Sequence, residues 1–425
     1  MTLSTRHRLL LSLYGAAWRL CRPLLARHRR LRHGFDERLA PRGRTPQADL
    51  WIQSASVGES YLAWQLLRHL PQGSAGSVLL TTCTVQGRGI LDSAAAWCAE
   101  HRPDMRVEVR FFPLDEPAVM RRALQLTGAR AVVLLETELW PALMAACAQA
   151  GVPYVVVNGR MTPGSLAGYL NFDGFLRAVP PAAVLAMSEH DAARYAVLFG
   201  HGRVRVMPNI KFDRVPQGAA QGPNPLLGTV FRPGTSVAVL ASVRREEEED
   251  AEYLLRAVAG ERPRTCIALV PRHLERVARW RIRLDEAGMP WVLRSAVREP
   301  VAPGTVVLWD AFGELDHVYA LARGVFVGGS LRPLGGQNFL EPLAHGIVPV
   351  IGPHWSNFYW VGDDIMEQGL VQRTGGPEEA AQELLRLLRR PAPKTRVAAR
   401  FAGYVEKRRG GARMAAETVA EIIRS

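Results

Sequence analysis

The stretch Ser54-Ala55-Ser56-Val57-Gly58-Glu59-Ser60 places a carboxylate behind a glycine where an apolar run, Leu50 to Ser54, gives way to a helical pattern. A carboxylate in the first turn of a helix has two uses. It complements the helix dipole, worth roughly 0.3–1 kcal/mol. Held at the carboxyl end of a strand and partly desolvated, it can instead take a proton from a substrate hydroxyl. Glu136-Thr137-Glu138-Leu139-Trp140-Pro141 repeats the situation after the apolar run Ala131 to Leu135. Its two carboxylates either bind polar substrate groups or cap a helix and hold basic residues.

A third candidate is Gly328-Gly329-Ser330, continued by Gly335-Gly336-Gln337-Asn338 and Glu341-Pro342, between the apolar run Val325 to Val327 and a helix beginning near Phe339. Main-chain amides in such a turn suit a phosphate or carboxylate, unless the glycines serve turn geometry alone. The pattern is neither a Walker sequence nor a dinucleotide fingerprint, which weighs against ATP and NAD. Basic candidates are Lys211, one of three lysines in the chain, and Arg272-His273 after Val270-Pro271. Arg244 and Arg245 run into Glu246 to Asp250, which reads as the acid-rich first turn of a solvated helix without a role in a site. Cys21, Cys83, Cys98, Cys147 and Cys266 are scattered, with no pair at metal or redox spacing, and read as small apolar residues in a reduced compartment.

Positioning such residues calls for strands that end beside one another. Candidate strands are Leu50–Ser54, Val78–Thr81, Val107–Phe112, Ala131–Leu135, Tyr154–Val157, Ala183–Ala186 and Val204–Val206, alternating with helical patterns such as Tyr61–Leu70 and Ala142–Ala150. A second series follows at Val237–Leu240, Cys266–Val270, Trp291–Leu293, Val306–Leu308, Gly324–Val327 and Val348–Ile351. This βαβ order predicts an α/β protein of two doubly wound, Rossmann-like parallel sheets facing a central cleft. The predicted divisions are a basic N-terminal segment 1–48, a first domain 49–216, a linker 217–228, a second domain 229–390 and a helical segment 391–425.

The chain of 425 residues carries a formal charge of +13, and segment 1–48 alone holds eleven arginines against Asp36 and Glu37. Basicity confined to one end argues against nucleic acid, which favours a basic stripe along a folded face. Leu9 to Trp18 is apolar, but Arg19 and Arg22 interrupt it and Pro23 is expected to end or kink a helix. The stretch is too short to span a bilayer, and no small-residue cleavage site follows. A short apolar helix followed by Arg27, Arg29, Arg30 and Arg32 fits a peripheral or monotopic anchor on an anionic membrane; packing on its own domain is the other possibility.

Taken together and in order, Ser56-Val57-Gly58-Glu59, Glu136 to Pro141, Asn158-Gly159-Arg160, Lys211-Phe212-Asp213, Pro271-Arg272-His273 and Gly328 to Pro342 resemble the 3-deoxy-D-manno-octulosonic acid (Kdo) transferases across nearly the whole chain. The resemblance implies a GT-B glycosyltransferase that moves Kdo from CMP-Kdo to the lipid A precursor at the cytoplasmic face of the inner membrane, with inversion and with no metal or other cofactor in its site. It implies that Glu59 is the general base. Donor-binding residues would be Lys211, Arg272, His273, Gly313, Glu314, Gly329, Ser330, Gly336, Gln337, Asn338 and Glu341. Ser56, Gly58, Glu136, Glu138 and Arg160 would line the acceptor side. The chain departs from the family pattern at Gln337, where histidine is usual, at Ser242-Val243-Arg244 in place of Ser-Thr-His, and at Gly159 in place of alanine. Gln337 keeps hydrogen bonding but cannot become cationic near neutral pH. Two other readings use the same residues: a GT-B transferase with a different nucleotide sugar and lipid acceptor, or a catalytically silent membrane-bound binding protein.

Overall fold

The computed structural model describes residues 3–28, 31–215 and 223–425. The chain divides into two compact units, Met1–Arg214 with Arg408–Ser425, and Val215–Lys407. The first half of the expected linker 217–228, residues 217–222, lies outside the described residues, as do Arg29 and Arg30.

The first unit runs α1 (Thr5–Arg27), β1 (Leu50–Ser54), α2 (Val57–His69), β2 (Ser77–Thr82), α3 (Val85–His101), β3 (Arg106–Phe111), α4 (Pro117–Thr127), β4 (Ala131–Leu135), α5 (Pro141–Ala150), β5 (Tyr154–Gly159), α6 (Pro163–Leu170), α7 (Asp173–Ala178), β6 (Ala183–Ala186), α8 (Glu189–Phe199) and β7 (Val204–Val206). All strand pairings are parallel, in the order β3-β2-β1-β4-β5-β6-β7. Every residue of β1, β4 and β5 is buried, as helices on both faces of a parallel sheet require. Ser56, Thr84, Thr162 and Ser188 cap α2, α3, α6 and α8 by accepting main-chain N–H groups, and prolines open α4, α5 and α6.

The second unit runs β8 (Val237–Val243), α9 (Glu248–Glu261), β9 (Cys266–Pro271), α10 (Val277–Glu286), β10 (Trp291–Leu293), β11 (Val306–Leu308), α11 (Leu315–Leu321), β12 (Gly324–Val327), α12 (Leu340–Ala344), β13 (Pro349–Ile351), α13 (Asp364–Glu367), β14 (Gln372–Arg373), α14 (Pro377–Arg389) and α15 (Lys394–Glu406). Its sheet, also parallel throughout, has the order β10-β11-β9-β8-β12-β13-β14. The last helix, α16 (Gly411–Arg424), belongs to the first unit, where Ala412, Ala416 and Val419 share a core with Leu62 and Leu66 of α2. Asp213 fixes that return by accepting the amides of Gly410 and Ala412, each at 2.7 Å.

Strand order reverses once in each sheet, between β1 and β4 and between β8 and β12. The carboxyl ends of strands at such a reversal open a crevice that open α/β sheets use for ligands. Glu59 and Glu136 follow β1 and β4; Glu247 and Gly328 follow β8 and β12.

One expectation changes, and one strand carries no signal in the sequence. Pro23 does not end α1, which continues through it to Arg27, because a proline one turn from the end removes a single N–H donor. The two-residue β14 is too short to carry a strand pattern in sequence.

Candidate functional site

At the first crevice, Ser56 closes the turn into α2. Its hydroxyl accepts the Glu59 amide at 3.3 Å and donates to Glu59 Oε1 at 2.8 Å, while the Ala55 amide donates to Oε2 at 2.7 Å. The capping role and the reactive position therefore coincide in one residue. Burial pushes the Glu59 carboxyl up to about 7, against the pull of these hydrogen bonds and of Lys211. Ser56 and Gly58 remain exposed, so the turn is open to solvent beside a carboxylate that is 7% exposed.

Glu136 lies in the left-handed region (φ 54°), which turns the chain sharply off β4. Its Oε1 pairs with Lys211 Nζ at 2.6 Å. Lys211 is brought there by the segment after β7: Asn158 Oδ1 accepts the Ile210 amide and Asn209 Oδ1 accepts the Lys211 amide, both at 3.0 Å. Glu138 is pushed up to about 7, chiefly by burial and then by the charge of Glu59. The structure thus gathers Glu59, Glu136, Glu138 and Lys211. The Arg160 side chain is exposed, and only its main chain is tied in. Sequence reading missed Tyr195, whose hydroxyl donates to the carbonyls of Glu136 (3.0 Å) and Arg160 (3.3 Å). A Cβ at position 159 would stand 3.0 Å from the Tyr195 ring, a tight contact that glycine relieves.

An apolar groove of about 530 Å³ begins at Leu139 and Pro141 and runs between Leu10, Leu11 and Tyr14 of α1 and Tyr169 and Phe172 near the end of α6. On α1, Leu11 and Gly15 face the protein, and Arg22 pairs with Glu116. Leu9, Leu13, Leu20 and Leu24 are 60–81% exposed. At about 100° per residue these leucines form one stripe opposite the buried face, flanked by Arg6 and Arg27. Among the described residues no helix is long and apolar enough to cross a membrane.

At the second crevice the arrangement differs. Gly335 and Gly336 have φ of 85° and 79°, and a Cβ on Gly335 would meet Asn357 at 2.5 Å. Gly336 and Gln337 donate their amides to the carbonyls of Gly329 and Gly328, at 2.7 and 3.0 Å. The Gly329 amide goes to Glu247 Oε1. The amides of Gly329, Gly336 and Gln337 are thus spent within the chain, the use that turn geometry makes of them. The reading of the acid run is corrected: Glu247, Glu248 and Asp250 are buried, and only Glu246 and Glu249 are solvated. Their burial was invisible because nothing in the run's composition marks which carboxylates face inward.

Ser330 donates to the Val327 carbonyl (2.7 Å) and accepts the Gly352 amide (2.9 Å), joining the ends of β12 and β13. Asn338 donates to Glu341 Oε1 at 2.9 Å and accepts the Leu340 amide at 3.2 Å. Burial pushes the Glu341 carboxyl up, with the charge of Arg272 acting against it. Arg272 and His273 expose their side chains, and the Arg272 amide bonds to the Val243 carbonyl at 2.8 Å. Glu314, after Gly313 (φ 83°), is held by Nε and Nη2 of Arg294, each at 2.9 Å, and by the Trp309 indole at 3.0 Å. Among the described residues no group of three or more His, Cys, Asp or Glu could hold a metal ion. Cys98, Cys147 and Cys266 are buried and Cys21 is exposed; burial pushes the half-buried Cys83 thiol up to about 12, which leaves it protonated beside the carboxylates.

Residues 30–214 match the family described as 3-deoxy-D-manno-octulosonic-acid transferase (kdotransferase). The chain is 33% identical to the 3-deoxy-D-manno-octulosonic acid transferase of Bordetella pertussis over 81% of its own length and 80% of that protein. It is 29% identical to the enzyme of the same name from Haemophilus influenzae over 80% of this chain and 79% of that one. A glycosyltransferase from Rickettsia africae superposes with a TM-score of 0.55 at 10% identity, covering 88% of this chain and 98% of that one, a likeness of fold.

Proposed function

The chain belongs to the 3-deoxy-D-manno-octulosonic acid transferases, glycosyltransferases of lipopolysaccharide biosynthesis with the GT-B fold, and from that premise we propose that it carries Kdo from CMP-Kdo to a lipid A precursor with inversion. The observation that carries this reading is Glu59: a buried carboxyl raised to about 7 at an exposed turn, poised to hold or release a proton at working pH. The acceptor O–H gives its proton to the Glu59 carboxylate as the oxygen bonds to the Kdo anomeric carbon. The bond from that carbon to the CMP phosphate breaks, and its electron pair leaves with CMP.

The donor offers one phosphate and one sugar carboxylate, charges that arginine can pair without a metal. Arg272, whose charge acts on Glu341, and the exposed His273 that follows it are the groups of the second unit suited to them. The acceptor is acylated. The groove leading from Leu139 supports an acyl chain beside Glu138, and the exposed leucine stripe supports a peripheral seat on the cytoplasmic face of the inner membrane.

The test is transfer from CMP-Kdo to a tetra-acylated lipid A precursor, with mass spectrometry counting the Kdo units, beside Glu59→Gln. Wild-type product is expected, with turnover of the variant down roughly 10³-fold and CMP binding unchanged. Near-normal turnover in the variant removes Glu59 from the mechanism. Transfer from a UDP-sugar but not from CMP-Kdo replaces the donor.

A further inference from the structure

The carboxylates just before and within the first turn of α9 make three separate connections. Glu247, fully buried, accepts the amides of Arg244 (2.9 Å) and Gly329 on Oε1, and the amides of Ser330 and Leu331 are directed at the same carboxylate. Asp250 holds Arg332, two residues beyond Ser330, through two hydrogen bonds of 2.6 and 2.7 Å. Glu248 holds Arg276 through two more of 2.7 and 2.8 Å, at the end of the turn that begins with Arg272 and His273.

A built-in anion is the economical way to fix a turn of this kind. Successive amides pointing one way repel each other and attract negative charge. A carboxylate supplied by the chain satisfies them permanently, whereas a ligand would do so only while bound. Glycine at 328 is part of the arrangement, since a Cβ there would stand 2.4 Å from Glu247 Oε1 and 2.8 Å from the Ser242 carbonyl oxygen.

We infer that Glu247 is a positioning residue for the donor: as a resident acceptor of main-chain amides in the crevice between β8 and β12 it sets the Gly328–Glu341 loop, with the Asp250–Arg332 and Glu248–Arg276 pairs bracing the two donor-side turns. This rests on the reading that the second unit takes the nucleotide sugar. Glu247 need not touch that ligand. Its amide partners set where Gly336 to Glu341 lie, and loss of its charge leaves aligned N–H groups facing an amide that can accept only in part.

The experiment measures CMP binding by calorimetry, and transfer kinetics with CMP-Kdo and acceptor varied separately, in the full chain. Glu247→Gln is expected to raise the donor KM at least about tenfold while acceptor KM changes less than about twofold. Arg332→Ala, a change at a surface side chain that folding tolerates, is expected to give the same split at about threefold, and serves where Glu247→Gln fails to fold. Glu246→Gln with Glu249→Gln, both solvated, is expected to leave all parameters unchanged. Equal loss in donor and acceptor KM, or unchanged donor KM in Arg332→Ala, overturns the inference. Absence of CMP binding and of CMP-Kdo-dependent transfer in the wild type instead overturns the donor reading on which it rests.

Discussion

The two crevices occupy equivalent places in two parallel sheets and are furnished in opposite ways. Between β1 and β4, Glu59, Glu136 and Glu138 stand near one another with Lys211 as the compensating cation, and two of the three carboxyls are raised to about 7. Between β8 and β12, polar groups are largely consumed by the chain: Glu247 by amides and Ser330 by two main-chain partners; beyond the end of β11, Glu314 is likewise taken up by Arg294 and Trp309. A crevice that must move a proton keeps carboxyls whose two protonation states are close in free energy. A crevice that must hold a shaped ligand benefits from groups whose hydrogen-bond partners are settled in advance. Like folds at like positions thus divide chemistry from recognition.

Lys211→Met attacks that division most directly. It removes the cation that pairs with Glu136 and draws Glu59 down. Transfer kcat/KM is expected to fall about 100-fold, with the acid limb of its pH profile moved upward, because Glu59 then releases its proton only at higher pH. Arg294→Met, which frees Glu314 beyond the end of β11 in the second unit, is expected to raise donor KM with the limb unmoved. A moved limb in Arg294→Met, or an unmoved one in Lys211→Met, ends the contrast.

The leucine stripe of α1 tests whether the first unit also meets the lipid surface. Leu20→Glu with Leu24→Glu keeps the helix face that packs on the protein, since Leu11 and Gly15 are untouched. Sedimentation with anionic phospholipid vesicles is expected to drop at least about tenfold, with turnover on a detergent-dispersed acceptor preserved. Unchanged sedimentation removes the stripe from membrane binding.

What sequence made legible follows the same line. Parallel strands declare themselves as buried runs of Val, Ile and Leu, so Leu50–Ser54, Ala131–Leu135 and Gly324–Val327 are found with their bounds. Glu59 is legible because its turn couples a cap, a glycine and a carboxylate within one short motif. Glu247 is not, because its partners Gly329 to Leu331 lie about eighty residues away and only folding reveals the pairing. Tyr195 is hidden for the same reason, as one more aromatic on an amphipathic helix until its hydroxyl is seen bridging Glu136 and Arg160.

The smallest expected effect is the sharpest measure of coupling in the first crevice. Glu138 is raised by burial and by the charge of Glu59, and electrostatic coupling is reciprocal, so an ionised Glu138 also makes ionisation of Glu59 harder. Glu138→Gln removes that charge at nearly constant shape. A base with a raised carboxyl pKa is active above that value and loses activity as pH falls through it. The acid limb of kcat/KM, expected near 7 in the wild type from Glu59, is therefore expected to move downward by less than about one pH unit, with acceptor turnover on the plateau reduced only a few-fold. Opposite displacements in Lys211→Met and Glu138→Gln identify a single titrating group, Glu59, that one cation and one neighbouring carboxylate tune in opposite senses. A limb that stays fixed in both variants assigns the pH dependence to a group outside this crevice.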